Sequence, residues 1–374
     1  MPTGPILLFP GIMGSRLYFP AADRFWDPDS NKRMLWWAPV WPVRSDEDNR
    51  RDLRFEQPAG VVIDPLGDEF GPAEADRGWG GVVWSYYGEM LGDLRTDAAG
   101  EAYAAGYDWR QGIKWLGEFA ATRIRRVLEI TGAARLAVVT HSMGGLVVRA
   151  AFQHFPELRD RVARVVHVCQ PSAGAVILYR RLFTGLLRPF DGGGAVADRA
   201  FRLIHGNTRA SILGNVSGLP GAMQLLPSPH YPAAGGRVWN PSLPNPPTYT
   251  SDTNPPGVSD TRLRPGVSND LIARVGEVNE FHAWLGDPTN PATSHPDTWL
   301  IYGADLPTET TIAFDGTTSS PAPSTPGTAV VPAVSATALG LPPGRAVAFT
   351  NLTHASACNA AAVRSTVREI LAAP

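Results

Sequence analysis

Cysteine is almost missing. The 374 residues hold two, Cys169 and Cys358, too few for a disulfide framework or a thiolate metal site, and both are read as packing residues. Lysine is equally scarce, with only Lys32 and Lys114, a skew from which no function is drawn. No charge excess is present either: 33 basic residues face 35 acidic ones, a net charge of −2. That balance removes the electrostatic footprint of a nucleic-acid-binding protein or a polybasic membrane anchor. Nowhere do 18 apolar residues run together, so no membrane-spanning helix is expected. The first residues show neither a basic n-region nor a small-residue cleavage site, which reads as a chain without a signal peptide, hence cytoplasmic.

Glycine and proline are what the chain has in excess. It holds 38 and 35 of them, well above the usual combined share of about 12%, so long stretches are expected as loop. An apolar fraction of 44% still excludes wholesale disorder. The length suits one large domain over 1–374 with insertions.

Short apolar runs alternate with helical patterns, the signature of a mostly parallel sheet flanked by helices. Strands are expected at 6–9, 136–140, 164–169, 298–302 and 346–350. A helix is expected over 114–130, where Leu116, Phe119, Ala120, Ile124, Val127 and Leu128 recur at helical spacing before Thr131-Gly132. Another should run from the turn at 141–145 to about His154. A last one should start with Asn359 as N-cap and bury Val363, Val367, Ile370 and Leu371. Two insertions interrupt the pattern. Residues 16–100 carry six of the eleven tryptophans, including Trp36 and Trp37, an aromatic concentration that suits a lid or substrate wall as well as plain packing. Residues 171–296 read as a cap, with a helical pattern near 178–188 and a segment, 227–268, that contains ten prolines and is expected to be loop-built.

The sharpest chemical signal is Thr140-His141-Ser142-Met143-Gly144-Gly145 between an expected strand and helix. A serine on so tight a turn needs small neighbours two positions away on either side. Gly144 meets that need, and Thr140 is a mild departure. Ser142 Oγ would project above the carboxyl edge of the sheet, at the positive end of the following helix. A serine hydroxyl needs a base. Of eight histidines, His354 sits where this order of elements requires it, on the loop after the last strand. His141, adjacent to Ser142, is expected to shape the turn. The oxyanion formed on attack needs N–H donors. Met143 supplies one from the elbow, and the glycine-bracketed loop Pro10-Gly11-Ile12-Met13-Gly14-Ser15 a second, assigned to Met13.

These strings, with Tyr107-Asp108-Trp109-Arg110, Tyr302-Gly303, Leu306-Pro307-Thr308 and Thr353-His354, occur in an order that resembles the lecithin:cholesterol acyltransferase family of α/β-hydrolases over nearly the whole chain. The resemblance implies an α/β-hydrolase fold and acyl transfer or hydrolysis on lipid esters. It assigns Ser142 as nucleophile, His354 as base, and Met13 and Met143 as oxyanion donors, with Asp108–Arg110 as a structural brace. One departure stands out. The family carries its acid in a Gly-Asp-Gly-Thr-Val-Pro string, whereas this chain reads Pro326-Gly327-Thr328-Ala329-Val330-Val331-Pro332. Asp305, just past the 298–302 strand, is the preferred replacement and Asp315, in Phe314-Asp315-Gly316-Thr317, the alternative.

The expectation is therefore a serine-dependent ester hydrolase or acyltransferase for lipid or long-chain esters. It needs no metal or organic cofactor and no nucleic acid, and it makes at most transient contact with a membrane surface. A carboxylesterase for small soluble esters, or a degenerate hydrolase fold used as a scaffold, are the competing readings. Oligomeric state is not legible.

Overall fold

Alternation along the first strand sets the layers. In β1 (Ile6–Phe9), Leu7 and Phe9 enter one apolar cluster while Ile6 and Leu8 enter another, because successive side chains of a strand face opposite ways. The computed structural model describes residues 4–36, 46–61, 81–98, 101–178, 214–231, 268–310, 312–314, 319–321 and 324–373. Within them β2 (Ala102–Ala104), β3 (Leu136–His141), β4 (Val162–Val168), β5 (Thr298–Gly303) and β6 (Ala346–Phe349) join β1 in a six-stranded sheet of order β6-β5-β4-β3-β1-β2. Every pairing in it is parallel. The strands read as near-continuous apolar runs because helices cover both faces.

On the Leu7 face lie the helices at Ile113–Thr131 and Met143–His154, which bury Leu116, Ala120, Ile124 and Val147. On the Ile6 face lie those at Trp84–Asp97 and Ala361–Ala372, which bury Tyr87, Met90, Leu91, Val363 and Val367. All five expected strands and the helix over 114–130 are present with no end shifted by more than two residues. The C-terminal helix buries the four expected residues but starts differently. Ala360, not Asn359, occupies its cap position, with no side-chain cap. Asn359 closes a short 3-10 turn, and its amide donates to the Ser85 carbonyl at 2.7 Å.

The helices at Trp84–Asp97 and Ser268–Leu285 have no counterpart in the sequence reading. Gly88 and Gly92 weaken the first by intrinsic propensity, and Gly276 interrupts the second next to the proline-rich stretch, so tertiary packing decides both. Within 16–100, Arg24–Trp26, Leu17–Phe19 and Gly60–Val61 form a small antiparallel sheet. Within 171–296, a buried stretch including the short helix Pro220–Met223 docks on the loop after β2, where Gly221 N–H donates to the Arg110 carbonyl at 3.1 Å. The helical pattern near 178–188 and residues 232–267 of the proline-rich segment lie outside the described residues, apart from the buried Leu178. Among the described residues no helix is long and apolar enough to cross a membrane.

Candidate active site

β3 ends at His141 and the next helix begins at Met143, so Ser142 alone makes the turn, with φ +51° and ψ −123°. A non-glycine residue held at positive φ stores roughly 1–3 kcal/mol of strain. The helix packs so closely beneath that a Cβ at Gly144 would stand 2.5 Å from the Phe9 carbonyl oxygen and 2.6 Å from that of Pro10. Thr140 stands on the other side, its hydroxyl 2.7 Å from Nδ1 of buried His167. As the first residue of the helix, directly after Ser142, Met143 has an amide with no intrahelical acceptor.

His354 lies on the loop that follows β6. Its Nε2 stands 2.8 Å from Ser142 Oγ, although 212 residues separate the two. Both are nearly enclosed, at 3% and 9% exposure, so solvent competes weakly for that hydrogen bond. At the other ring nitrogen, Nδ1 meets Thr328 Oγ1 at 3.2 Å. Thr328 Oγ1 also accepts the Val331 N–H at 3.0 Å and faces the Val331 carbonyl at 3.4 Å. With its own proton directed to that carbonyl, the hydroxyl accepts from Nδ1–H, the tautomer that leaves the Nε2 lone pair for the serine proton.

Asp305 is placed elsewhere than expected. Both its oxygens accept the backbone N–H of Asn351, at 2.8 and 2.9 Å, so its described contacts are with the loop that carries His354 and not with the imidazole. The reason is local: the carboxylate stands exposed two residues past the end of β5, and Asn351 turns at φ +55°, presenting its N–H to it. Asp315 lies outside the described residues, between the antiparallel strands Ile312–Phe314 and Ser319–Pro321.

The loop before the small sheet closes the other side of the site. Gly14 N–H donates to the Gly11 carbonyl at 3.0 Å, with Met13 at φ +60°. A Cβ on Gly11 would stand 2.9 Å from Ser142 Cβ, which shows how tightly this loop presses on the elbow. Tyr107 Oη donates to the Pro10 carbonyl at 2.6 Å and Trp26 Nε1 to that of Met13 at 3.1 Å. Arg110, wholly buried, pairs with Asp108 at 2.7 Å and donates to the carbonyls of Leu53, Arg54 and Gln57, a brace between the core and the first insertion.

Ser142, His354, Met143 and the Met13 loop thus come together. Trp36 does not join them; the residue is 56% exposed, with the Arg24 guanidinium 5.1 Å from the centre of its ring. Trp37 lies outside the described residues. Two residues at the site escaped the sequence reading. Thr328 sits in the quoted Gly-Thr string but carried no carboxylate to flag it, and Tyr87, whose hydroxyl accepts the Gly11 N–H at 2.8 Å, belongs to no motif.

A family model described as the alpha/beta hydrolase fold matches residues 96–201. With the parallel six-stranded sheet and the serine turn after its third strand, that decides the architecture. The chain has the α/β-hydrolase fold. A chain of the Tle4–Tli4 complex is similar over 98% of both chains, with 19% identity and a TM-score of 0.67. The mature Bacillus licheniformis lipase BlEst2 aligns over 98% of this chain and 91% of its own, with 12% identity and a TM-score of 0.38. At 19% identity the first of these likenesses concerns the fold alone. No curated protein matched the sequence. In the α/β-hydrolase fold a triad runs in the order serine, acid, histidine, with the serine on a strand-to-helix turn, and Ser142 and His354 stand in that order here.

Proposed function

We propose that this chain is a serine-dependent ester hydrolase or acyltransferase that works through an acyl-enzyme on lipid or long-chain esters. The single observation that carries the reading is the 2.8 Å contact between Ser142 Oγ and His354 Nε2 on a strained turn at the carboxyl edge of a parallel sheet. Ser142 Oγ attacks the ester carbonyl as His354 Nε2 takes its proton. The negative oxygen that forms is held by the Met143 and Met13 N–H groups. The imidazolium then gives its proton to the departing alcohol, leaving an acyl-serine, and water or a second alcohol resolves the ester by the same steps in reverse. Thr328 holds the imidazole tautomer, and Asp305 holds the loop behind it. The order of motifs supports the lecithin:cholesterol acyltransferase resemblance as the subfamily. The two insertions, which flank the serine turn in sequence, are the proposed source of substrate choice.

A fluorophosphonate probe tests the chemistry: the wild-type chain is expected to be labelled and Ser142→Ala not. An unlabelled wild type would instead support a scaffold built on a hydrolase fold. Chain-length dependence tests the substrate class. Decanoyl esters are expected to be turned over at least as fast as acetyl esters, and a wide margin in favour of acetyl would turn the reading to a carboxylesterase for small esters.

A further inference from the structure

His141 and Tyr87 are buried polar side chains that the steps above do not use. We infer that they are positioning residues, joining the oxyanion loop to the base loop through one directed chain of hydrogen bonds. The inference rests on the serine-hydrolase reading for its kinetic consequence, though not for its geometry.

Three contacts make the chain. Gly11 N–H lies 2.8 Å from Tyr87 Oη, Tyr87 Oη 2.9 Å from His141 Nδ1, and His141 Nε2 3.0 Å from the His354 carbonyl oxygen. A carbonyl oxygen only accepts, so Nε2 of His141 must carry the proton. Burial pushes the His141 pKa down to about 4, so near neutral pH the ring has that one N–H and Nδ1 is an acceptor. Tyr87 must then donate to Nδ1, and its oxygen is left to accept from Gly11. Every polar atom along the line is used, and no member can be reversed without leaving a buried group unsatisfied.

The ring contacts, one tilted and one edge-on, accompany this arrangement. The His141 ring lies 4.9 Å from that of His354 and 5.6 Å from that of Tyr87, centre to centre. His141 immediately precedes the nucleophile. The loop with the second oxyanion donor, the turn with Ser142 and the loop with the base are therefore all referenced to one imidazole. The helix Trp84–Asp97, which no motif marks, supplies the hydroxyl that completes it. Misplacement of a reacting group by about 1 Å can cost about 10²-fold in rate, which is the scale on which such a tie matters.

The test uses the full chain with Tyr87→Phe, His141→Leu, His141→Gln and the double variant Tyr87→Phe/His141→Leu. Turnover is expressed per site titrated with fluorophosphonate, so that loss of folded protein does not count. Tyr87→Phe keeps the ring packing and is expected to lower kcat per site about 10- to 100-fold while KM stays within about threefold. His141→Leu should fall by a similar factor, and the double variant by no more than the worse single one, because both break the same line. His141→Gln, which restores a donor toward the His354 carbonyl, should recover part of the loss. Wild-type kcat per site in Tyr87→Phe, with only the melting temperature lowered, would reduce the pair to packing, as would additive losses.

A measurement that needs no turnover accompanies these. In ¹⁵N-histidine spectra at pH 7, the resonances missing from His141→Gln should report the Nε2–H tautomer. The Nδ1–H tautomer there would overturn the chain of bonds even in a fully active enzyme. A wild type that resists the probe would remove the hydrolase reading and leave the tautomer to decide the geometry.

Discussion

Asp305 presents both carboxylate oxygens to the backbone N–H of Asn351, three residues before His354, at 2.8 and 2.9 Å. The charge thus stabilises the loop that carries His354. Asp305→Asn keeps an acceptor for that N–H, so turnover per titrated site is expected to fall by less than about tenfold, against the roughly 10⁴-fold loss typical of removing an acid from the imidazole. Steady-state kinetics distinguish the two, and a loss of the larger size would return Asp305 to the ring. Asp315→Asn, measured alongside, asks the same of the other carboxylate read from the sequence.

Thr328→Val removes the one hydroxyl described at Nδ1 of His354 while keeping the shape of the side chain. The imidazole then loses a group that favours the Nδ1–H tautomer, and kcat should fall about 10- to 100-fold with KM little changed. Thr328→Ser should retain most of the activity. Equal kinetics for the valine and wild-type chains would remove Thr328 from the mechanism.

Stability should depend on pH through histidines that the fold keeps neutral. Burial lowers the pKa of His141 to about 4, of His167 to about 3 and of His282 to about 4, against about 6.5 in an unfolded chain. In that window the unfolded chain binds more protons than the native one. The stability is complete above about pH 6.5 and drains away as pH falls toward 4, by up to about 4 kcal/mol per pH unit for the three together. Carboxylates with lowered pKa, such as Asp97 hydrogen-bonded to Arg368, add to the loss only below that range. Urea melts at pH 7.0 and 5.5 check this, and a flat midpoint would contradict it.

Arg110→Met should unfold the chain readily. The buried guanidinium answers Asp108 and three carbonyls of the first insertion, and breaking a buried pair by removing one partner costs about 3–5 kcal/mol. A urea midpoint within error of wild type would show that the brace carries no such weight.

Much of the fold was legible because five of the six sheet strands are short apolar runs bounded by turn residues, the three-residue Ala102–Ala104 being the one not read, and because the helix over Ile113–Thr131 shows its stripe openly. The serine turn was legible too, since steric demands on a tight turn are local and leave glycine behind at position 144. His354 followed from its place after the last strand. The acid did not follow. A carboxylate near the end of β5 matches the sequence pattern equally well whether it faces an imidazole or a backbone N–H, and the left-handed turn at Asn351 settles which of the two Asp305 meets.

By itself, then, the sequence determined the layered α/β order and the residues fit to be nucleophile and base, because strands, helices and the serine turn show in neighbours within a few positions and the histidine follows from the order of those elements. Only the tertiary structure decided what touches His354, where Asp305 points, and that Tyr87 and His141 link the Gly11 loop to the His354 loop. Those contacts join residues from 26 to 213 positions apart, and hydrogen-bond partners at such separations are chosen by how the sheet and its helices pack, which no local pattern encodes.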